Sequence, residues 1–250
     1  MPDHRDALRI AAIADIHYTK TSQGALLPLL AQISETADVL LVAGDFTDTG
    51  LPEEAHVLAK DLAAGIKIPV IGVLGNHDYE SSKQEEVQEI LCDAGASILE
   101  GESCQIRDVG FVGIKGFGGG FDRQALQAWG EQAIKNFVQE AVGDALRLES
   151  ALSLLKTEQR IALLHYSPIR TTVQGENPEI FPFLGSSRLE EPINRFQVTA
   201  VFHGHAHAGT PEGKTKVDIP VYNVSQSVLR HAYPDRPPFR LLEIPIRPSH

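Results

Sequence analysis

The chain has 250 residues, 42% of them hydrophobic, with a formal charge of −11. That length buries a full core, and α/β chains of this size often form one domain, so a single domain over residues 1–250 is expected. The acid excess argues against binding duplex nucleic acid, which rests on Lys and Arg neutralising phosphates; the apolar runs are also far too short to span a membrane.

A strand–helix rhythm fills the first hundred residues. Apolar runs at Arg9–Ala14, Val39–Ala43 and Pro69–Leu74 read as buried strands. Helical patterns at Leu26–Glu35, Glu53–Ala64 and Lys83–Ala94 follow them in turn. Asp15 lies 30 residues before Asp45, and Asp45 lies 31 before Asn76, which is the length of a βαβ unit. Right-handed crossovers return each strand tip to the same sheet edge. Ser97–Leu99, Ser103–Arg107 and Phe111–Ile114 then read as short strands in hairpins, hence a second or mixed sheet. Gly116–Phe121 is glycine-rich and aromatic. Glu131–Lys156 has the apolar spacing of a long amphipathic helix, weakened at Gly143. Ile161–Leu164 and Ala200–Phe202 are strands, Thr171–Gly185 a proline-bearing loop and Ser187–Phe196 a helix. Pro220–Val224 and Phe239–Ile246 are the last strands. Strands alternating with helices, then hairpins, imply two packed sheets with helices outside.

Five of the strands end in metal-type ligands: Asp15-Ile16-His17, Gly44-Asp45, Gly75-Asn76-His77-Asp78, His165, and Gly204-His205-Ala206-His207. Sites in α/β sheets form beyond the carboxyl ends of strands, so these side chains should converge. Asp15 and His17 lie two apart and point the same way on a strand continuation; His205 and His207 repeat that spacing. The two oxygens of Asp45 can bridge two cations, Asn76 offers a neutral oxygen, and His165 completes the set. Seven ligands with one bridge give four ligations to each of two cations. Oxygen and nitrogen donors without thiolate suit Mn, Fe, Zn or Co. Two such ions lower the pKa of a shared water and clamp a phosphoryl group. Singly each motif is ordinary, since Gly-Asp marks turns and a lone His is usually just hydrogen-bonded. All five in order, each after a strand, are poorly explained by packing.

This series resembles the motifs of the calcineurin-like metallophosphoesterases, over residues from about 9 to 225. The resemblance implies an α/β fold, a four-layer α/β/β/α sandwich with two packed mixed sheets. It implies that Asp15, His17, Asp45 and His207 hold one metal, and Asp45, Asn76, His165 and His205 the other. His77 would then be a non-ligand that contacts the phosphate or protonates the leaving oxygen, with Asp78 orienting its imidazole. Gly44–Gly50 also resembles the cyclic-nucleotide and glycerophosphodiester phosphodiesterase branch; Asp48 within it is either an orienting group or a turn residue. Tyr166 departs from the second histidine that many members carry there. His203 is read as a supporting residue, not a ligand.

The expected activity is hydrolysis of a small phosphoester, favoured as a diester, by in-line attack of a hydroxide held on the metal pair. A phosphomonoesterase with the same core is the first rival. A binding or scaffold protein on a decayed version of the fold is the second, and it would have lost ligands, whereas all seven are present. Gly116–Arg123 and Arg170–Arg188 are candidate substrate-contacting segments, with Arg123, Arg170 and Arg188 as the candidate cations. Asn223 and Ser225 could support the site. Met1–Asp6 lacks the basic start of a secretory signal, which makes a cytoplasmic protein the expectation. Cys92 and Cys104 are accordingly expected as thiols, and the glycosylation pattern Asn223-Val224-Ser225 is discounted.

Overall fold

The structure, a computed structural model, describes residues 7–246. The chain runs β1 (Ala7–Ile13), α1 (Leu27–Thr36), β2 (Val39–Ala43), α2 (Pro52–Gly65), β3 (Val70–Val73), α3 (Gln84–Asp93) and β4 (Ala96–Ile98). The next elements are β5 (Glu102–Ile106), β6 (Val109–Ile114), α4 (Gln132–Leu154) and β7 (Gln159–Leu164). There follow α5 (Phe181–Leu184), α6 (Glu190–Arg195), β8 (Ala200–His203), β9 (Glu212–Lys214), β10 (Pro220–Asn223), α7 (Gln226–Ala232) and β11 (Arg240–Pro245).

One sheet has the order β11-β1-β2-β3-β4 and the other β5-β6-β7-β8-β10-β9. Strands β1 to β4 are mutually parallel, and so are β6, β7, β8 and β10; the antiparallel partners β11, β5 and β9 lie at the edges. Strand alternation sorts the apolar side chains into layers. Leu8, Ile10, Ala12, Leu41 and Val73 face Phe111, Ile161, Leu163 and Phe202 of the second sheet. The opposite face of the first sheet, with Ala11, Ile13, Leu40 and Val42, packs on Leu30, Ile33, Leu58, Leu62 and Leu91 of the helices. Val112, Ala162, Leu164 and Val201 do the same against Leu148 and Leu152 of α4 and Ile193 of α6. The result is the α/β/β/α sandwich. Parallel strands buried on both faces explain why the sequence shows them as unbroken apolar runs.

Two expectations need correction. Ser97–Leu99 does not belong to a hairpin: β4 pairs parallel with β3, Val70 opposite Ala96, because α3 returns the chain to the first sheet. Of the strands expected in hairpins only β5 and β6 pair in one. The long helix runs through Gly143 as α4. Thr171–Gly185 is not plain loop but short helical turns at Thr171–Val173 and Pro178–Ile180 followed by α5. β9 and α7 were not expected. No helix among the described residues is long and apolar enough to cross a membrane.

Candidate metal centre

The ligand-bearing loops leave the strands by left-handed turns rather than by strand continuation. Asp15, His17, Asp45 and His205 have φ of 56°, 47°, 52° and 68°. Such values are uncommon outside glycine and cost about 1 kcal/mol or more each. Neighbouring loops hold them in place. The Asp15 N–H donates to the Gly44 carbonyl at 3.1 Å, and the Ile16 and His17 N–H groups converge on the Asp45 carbonyl at 2.9 and 3.0 Å. In three of the five motifs a preceding glycine makes room for a candidate ligand from another loop. A Cβ on Gly44 would stand 2.3 Å from His165 Nδ1, one on Gly75 2.1 Å from Asp45 Oδ1, and one on Gly204 2.9 Å from Asp15 Oδ2.

Among the described residues three donor groups result; one, of His17, Asp48 and His77, shares His17 with the first of the other two. Ligand atoms of Asp15, His17, Asp45 and His207 all lie within 4.8 Å of one another, as do those of Asp45, His165 and His205. Two donors about 2.1 Å from a tetrahedral ion lie about 3.4 Å apart. Here His17 Nε2 and His207 Nε2 are 3.4 Å apart, His207 Nε2 and Asp15 Oδ1 3.4 Å, and His165 Nε2 and Asp45 Oδ2 3.5 Å. Asn76 turns its amide oxygen to His165 Nε2 at 2.8 Å, so it joins the second group. Asp45 does not offer both oxygens equally. Oδ1 accepts the His77 N–H at 2.9 Å, whereas Oδ2 is buried without a hydrogen-bond partner among the described residues. It lies 3.8 Å from His17 Nε2 and 3.5 Å from His165 Nε2. A buried carboxylate oxygen left bare costs free energy, and a cation on either side removes that cost. The donor set therefore fits a pair of cations sharing Asp45.

Protonation agrees with this fit, because metal ligands must present lone pairs. Burial holds His165 well below the ordinary histidine value, with His205 adding to the effect. Burial lowers His205 and His17 as well. His165 donates Nδ1–H to the Ala43 carbonyl at 2.8 Å, which leaves Nε2 free, and His205 donates Nε2–H to the Phe183 carbonyl at 3.1 Å, which leaves Nδ1. His207 moves the other way, raised by its hydrogen bond to Asp15. The two carboxyls split. Burial opposes ionisation of Asp15, yet the His207 hydrogen bond and the nearby His165 hold it below its usual range. Burial, then Asp15 and Asp78, push Asp45 up. Without cations, only one of the pair carries charge comfortably.

Residues 8–209 match the family of calcineurin-like phosphoesterases. The chain belongs to that family. Three solved structures share the fold. A phosphopantetheinyl hydrolase from Mycobacterium tuberculosis superposes with a TM-score of 0.68 at 14% identity, covering 95% of this chain and 96% of that one. TT1561 of Thermus thermophilus gives 0.58 at 15% identity, with 96% and 100% covered. A putative 5′-nucleotidase from Staphylococcus aureus gives 0.53 at 14% identity, with 87% and 48% covered. No curated protein matches the sequence. Membership makes this chain a phosphoric ester hydrolase of a metal-dependent family.

In this phosphoesterase His77 stands at the rim. Its ring is edge-on to His17, centroids 4.5 Å apart, and its Nδ1 lies 2.6 Å from the Asp48 carbonyl. Asp78 does not orient it. The Asp78 carboxylate is fully buried and accepts from the N–H groups of Gly75, Phe46 and Thr47 and from the Thr47 hydroxyl. It fastens the Gly75 turn to the Asp45 loop instead. The orienting group is the Asp48 main chain, while the Asp48 carboxylate sits 3.6 Å from His17 Nδ1.

The candidate arginines are not gathered at the centre. Arg188 donates Nη2 to the Leu126 carbonyl at 2.7 Å, tying two loops together. Arg123 is exposed in a groove with Asp122, Glu190 and Lys216. Arg170 is exposed over the Phe181 ring, 5.4 Å from its centroid. Among the described residues none of the three hydrogen-bonds to a ligand side chain.

Supporting residues are clearer. His203 is buried, with Nδ1 on the Gly204 carbonyl and Nε2 on Thr172 Oγ1, both at 2.8 Å. Asn223 is buried and donates to the Ala206 carbonyl at 2.8 Å, which steadies the His205–His207 loop and leaves no amide for a glycan. The Tyr166 ring packs 4.5 Å from that of His205. Sequence reasoning missed Lys115, whose ammonium lies among the rings of Tyr79, Phe117 and Tyr166. A lysine directly after an apolar strand was the available signal.

Proposed function

We propose that this phosphoesterase hydrolyses a small phosphodiester at a centre of two cations. The observation that carries the reading is Asp45 Oδ2, buried between the imidazoles of His17 and His165 and without a hydrogen-bond partner among the described residues. Asp15, His17, Asp45 and His207 would hold one cation; Asp45, Asn76, His165 and His205 the other. Mn, Fe, Zn or Co suit these donors; when bound they neutralise phosphoryl oxygens and lower the pKa of an attacking water. The remaining work falls to the chain. Asp15 positions the His205 loop by accepting its N–H at 3.0 Å. His77 as the imidazolium, its Nδ1–H held by the Asp48 carbonyl, would give its Nε2 proton to the leaving oxygen and be left as the neutral ring. Asp78 keeps the Gly75 and Asp45 loops in register.

A diester needs room for a second organic arm. A cavity of about 510 Å³, lined in part by Asn76 and Tyr166, supplies it. The net charge of −11 disfavours long polyanions, so duplex nucleic acid should be a poor substrate. Free Cys92 and Cys104 suit a reducing, cytoplasmic setting.

The test pairs metal content with turnover. Elemental analysis should find two cations per chain, and Asp45→Ala should lose at least one along with activity. Under one metal condition bis-p-nitrophenyl phosphate should be hydrolysed faster than p-nitrophenyl phosphate. A single tightly held ion sinks the paired centre. A strong monoester preference makes the protein a phosphomonoesterase, and no turnover with both ions bound makes it a binding protein on this fold.

A further inference from the structure

The cavity beside Asn76 has its own chemistry. Lys115 is half-buried there, its Nζ 5.3, 5.0 and 5.3 Å from the ring centroids of Tyr79, Phe117 and Tyr166. Among the described residues its one hydrogen bond is to the Gly116 carbonyl at 2.9 Å, although an ammonium has three donors. Glu100 and Glu140 also line the cavity, and Arg147 stands at its edge. The Arg147 guanidinium is already paired with the buried Asp144. The Tyr79 hydroxyl donates to Glu100 at 3.2 Å. Around Lys115 the local field thus comes from three carboxylates, Asp144, Glu140 and Glu100, against one further cation, Arg147.

These groups discriminate between kinds of substrate arm. An anionic arm reaching Lys115 also meets Glu100 and Glu140 and gains little. A purely apolar arm covers the rings but strips water from an ammonium and two carboxylates, whose hydrogen-bonding capacity the remaining protein contacts do not fill. An uncharged arm bearing hydroxyls satisfies both kinds of group. Its O–H groups donate to the carboxylates, its oxygens accept from Lys115, and its carbon face lies on the Phe117 and Tyr166 rings. We infer that the cavity beside Asn76 is a subsite for an uncharged, hydroxyl-bearing arm of the substrate, of the polyol or sugar class. This rests on the phosphoester hydrolysis proposed above, since the arm's phosphoryl group would sit at the ligand set that Asn76 joins.

The test uses phosphonates, whose carbon–phosphorus bond is not hydrolysed, bound to the metal-loaded protein and followed by calorimetry. 3,4-Dihydroxybutylphosphonate should bind at least about tenfold more tightly than butylphosphonate, the scale of a hydrogen bond to a charged group. 4-Phosphonobutyrate, which ends in a carboxylate, should bind more weakly than the diol. Lys115→Met and Glu140→Gln should each shrink the diol preference severalfold. A ring-sugar phosphonate measured alongside separates an open polyol from a closed sugar. Equal binding of diol and butyl compounds overturns the inference, and so does tightest binding of the carboxylate. A diol preference intact in both variants places the recognition elsewhere and overturns it too. Nitrophenyl ester turnover is measured separately: its absence beside a clear diol preference would count against the hydrolase reading and leave the subsite standing.

Discussion

His77 Nδ1 stands 2.6 Å from the Asp48 carbonyl, and a carbonyl can only accept, so Nδ1 carries the hydrogen and Nε2 is the nitrogen free to act. The ring meets the proposed ligand set edgewise at His17 and clusters with His17 and Asp48 rather than within either ligand group proposed above. His77→Ala should therefore keep both cations by elemental analysis while turnover falls about 10²–10⁴-fold, the scale of general acid–base assistance. The loss should shrink for nitrophenolate leaving groups, which need little protonation. An equal loss for good and poor leaving groups would reduce His77 to a phosphate contact, and loss of metal would make it a ligand. The convergence of the candidate ligands was legible because Asp, Asn and His right after apolar strands have few other reasons to be there. Asp78 was misread because adjacency in sequence is not adjacency of side chains. The 3₁₀ turn His77–Tyr79 sends His77 outward and Asp78 into the core. Lys115 was passed over because lysines are seldom buried and, Phe117 aside, its aromatic neighbours Tyr79 and Tyr166 come from separate segments.

At the level of the elements, three of the strand ends work as moulds whose shape depends on a missing side chain. Gly75 is the tightest case, because its Cβ would land on Asp45 Oδ1 and 2.4 Å from the Asp45 N. Gly75→Ala should displace the shared carboxylate and lower metal occupancy and turnover together. Gly143, in the middle of α4, offers the opposite case: a Cβ there meets nothing within 4 Å. Gly143→Ala should raise stability by up to about 1 kcal/mol, the helix propensity difference, and leave metal content alone. Denaturant melts and metal analysis on both variants check the pair. A harmless Gly75→Ala would contradict the mould. The strands and the three crossover helices were legible from period and length. β9, Glu212-Gly213-Lys214, was not, being a three-residue polar edge strand without alternating apolar residues. β4 was seen as a strand but given the wrong partner, because pairing depends on the path of α3 rather than on the residues of β4 themselves.

For the whole molecule the proposed cation pair is a matter of stability as well as chemistry. Asp45 is pushed up to about 9 from an ordinary 3.8, by burial first and then by Asp15 and Asp78. In metal-free protein the folded state between those values keeps a proton that the unfolded chain has released. Stability is then lost as pH rises toward the folded value, by about 1 kcal/mol per pH unit while the difference is a full proton. His17, His165 and His205 pull in the opposite sense. Burial lowers all three, so below the ordinary histidine value of 6.5 the unfolded chain takes up protons that the folded state refuses. Their contribution is present above that value and lost as pH falls. His207, raised by its hydrogen bond to Asp15, adds to the alkaline loss. Chelated protein should accordingly be most stable near neutrality and should shed about 2 kcal/mol or more between pH 7 and 9. Metal-loaded protein should show little of that alkaline loss, because a bound cation keeps Asp45 ionised in the folded state too. Urea melts at pH 7, 8 and 9, with chelator and after reloading, measure both curves. The gap between them should widen as pH rises. A chelated protein as stable at pH 9 as at pH 7 would mean that Asp45 carries its charge without help, and the main physical reason for placing a second cation beside it would be gone.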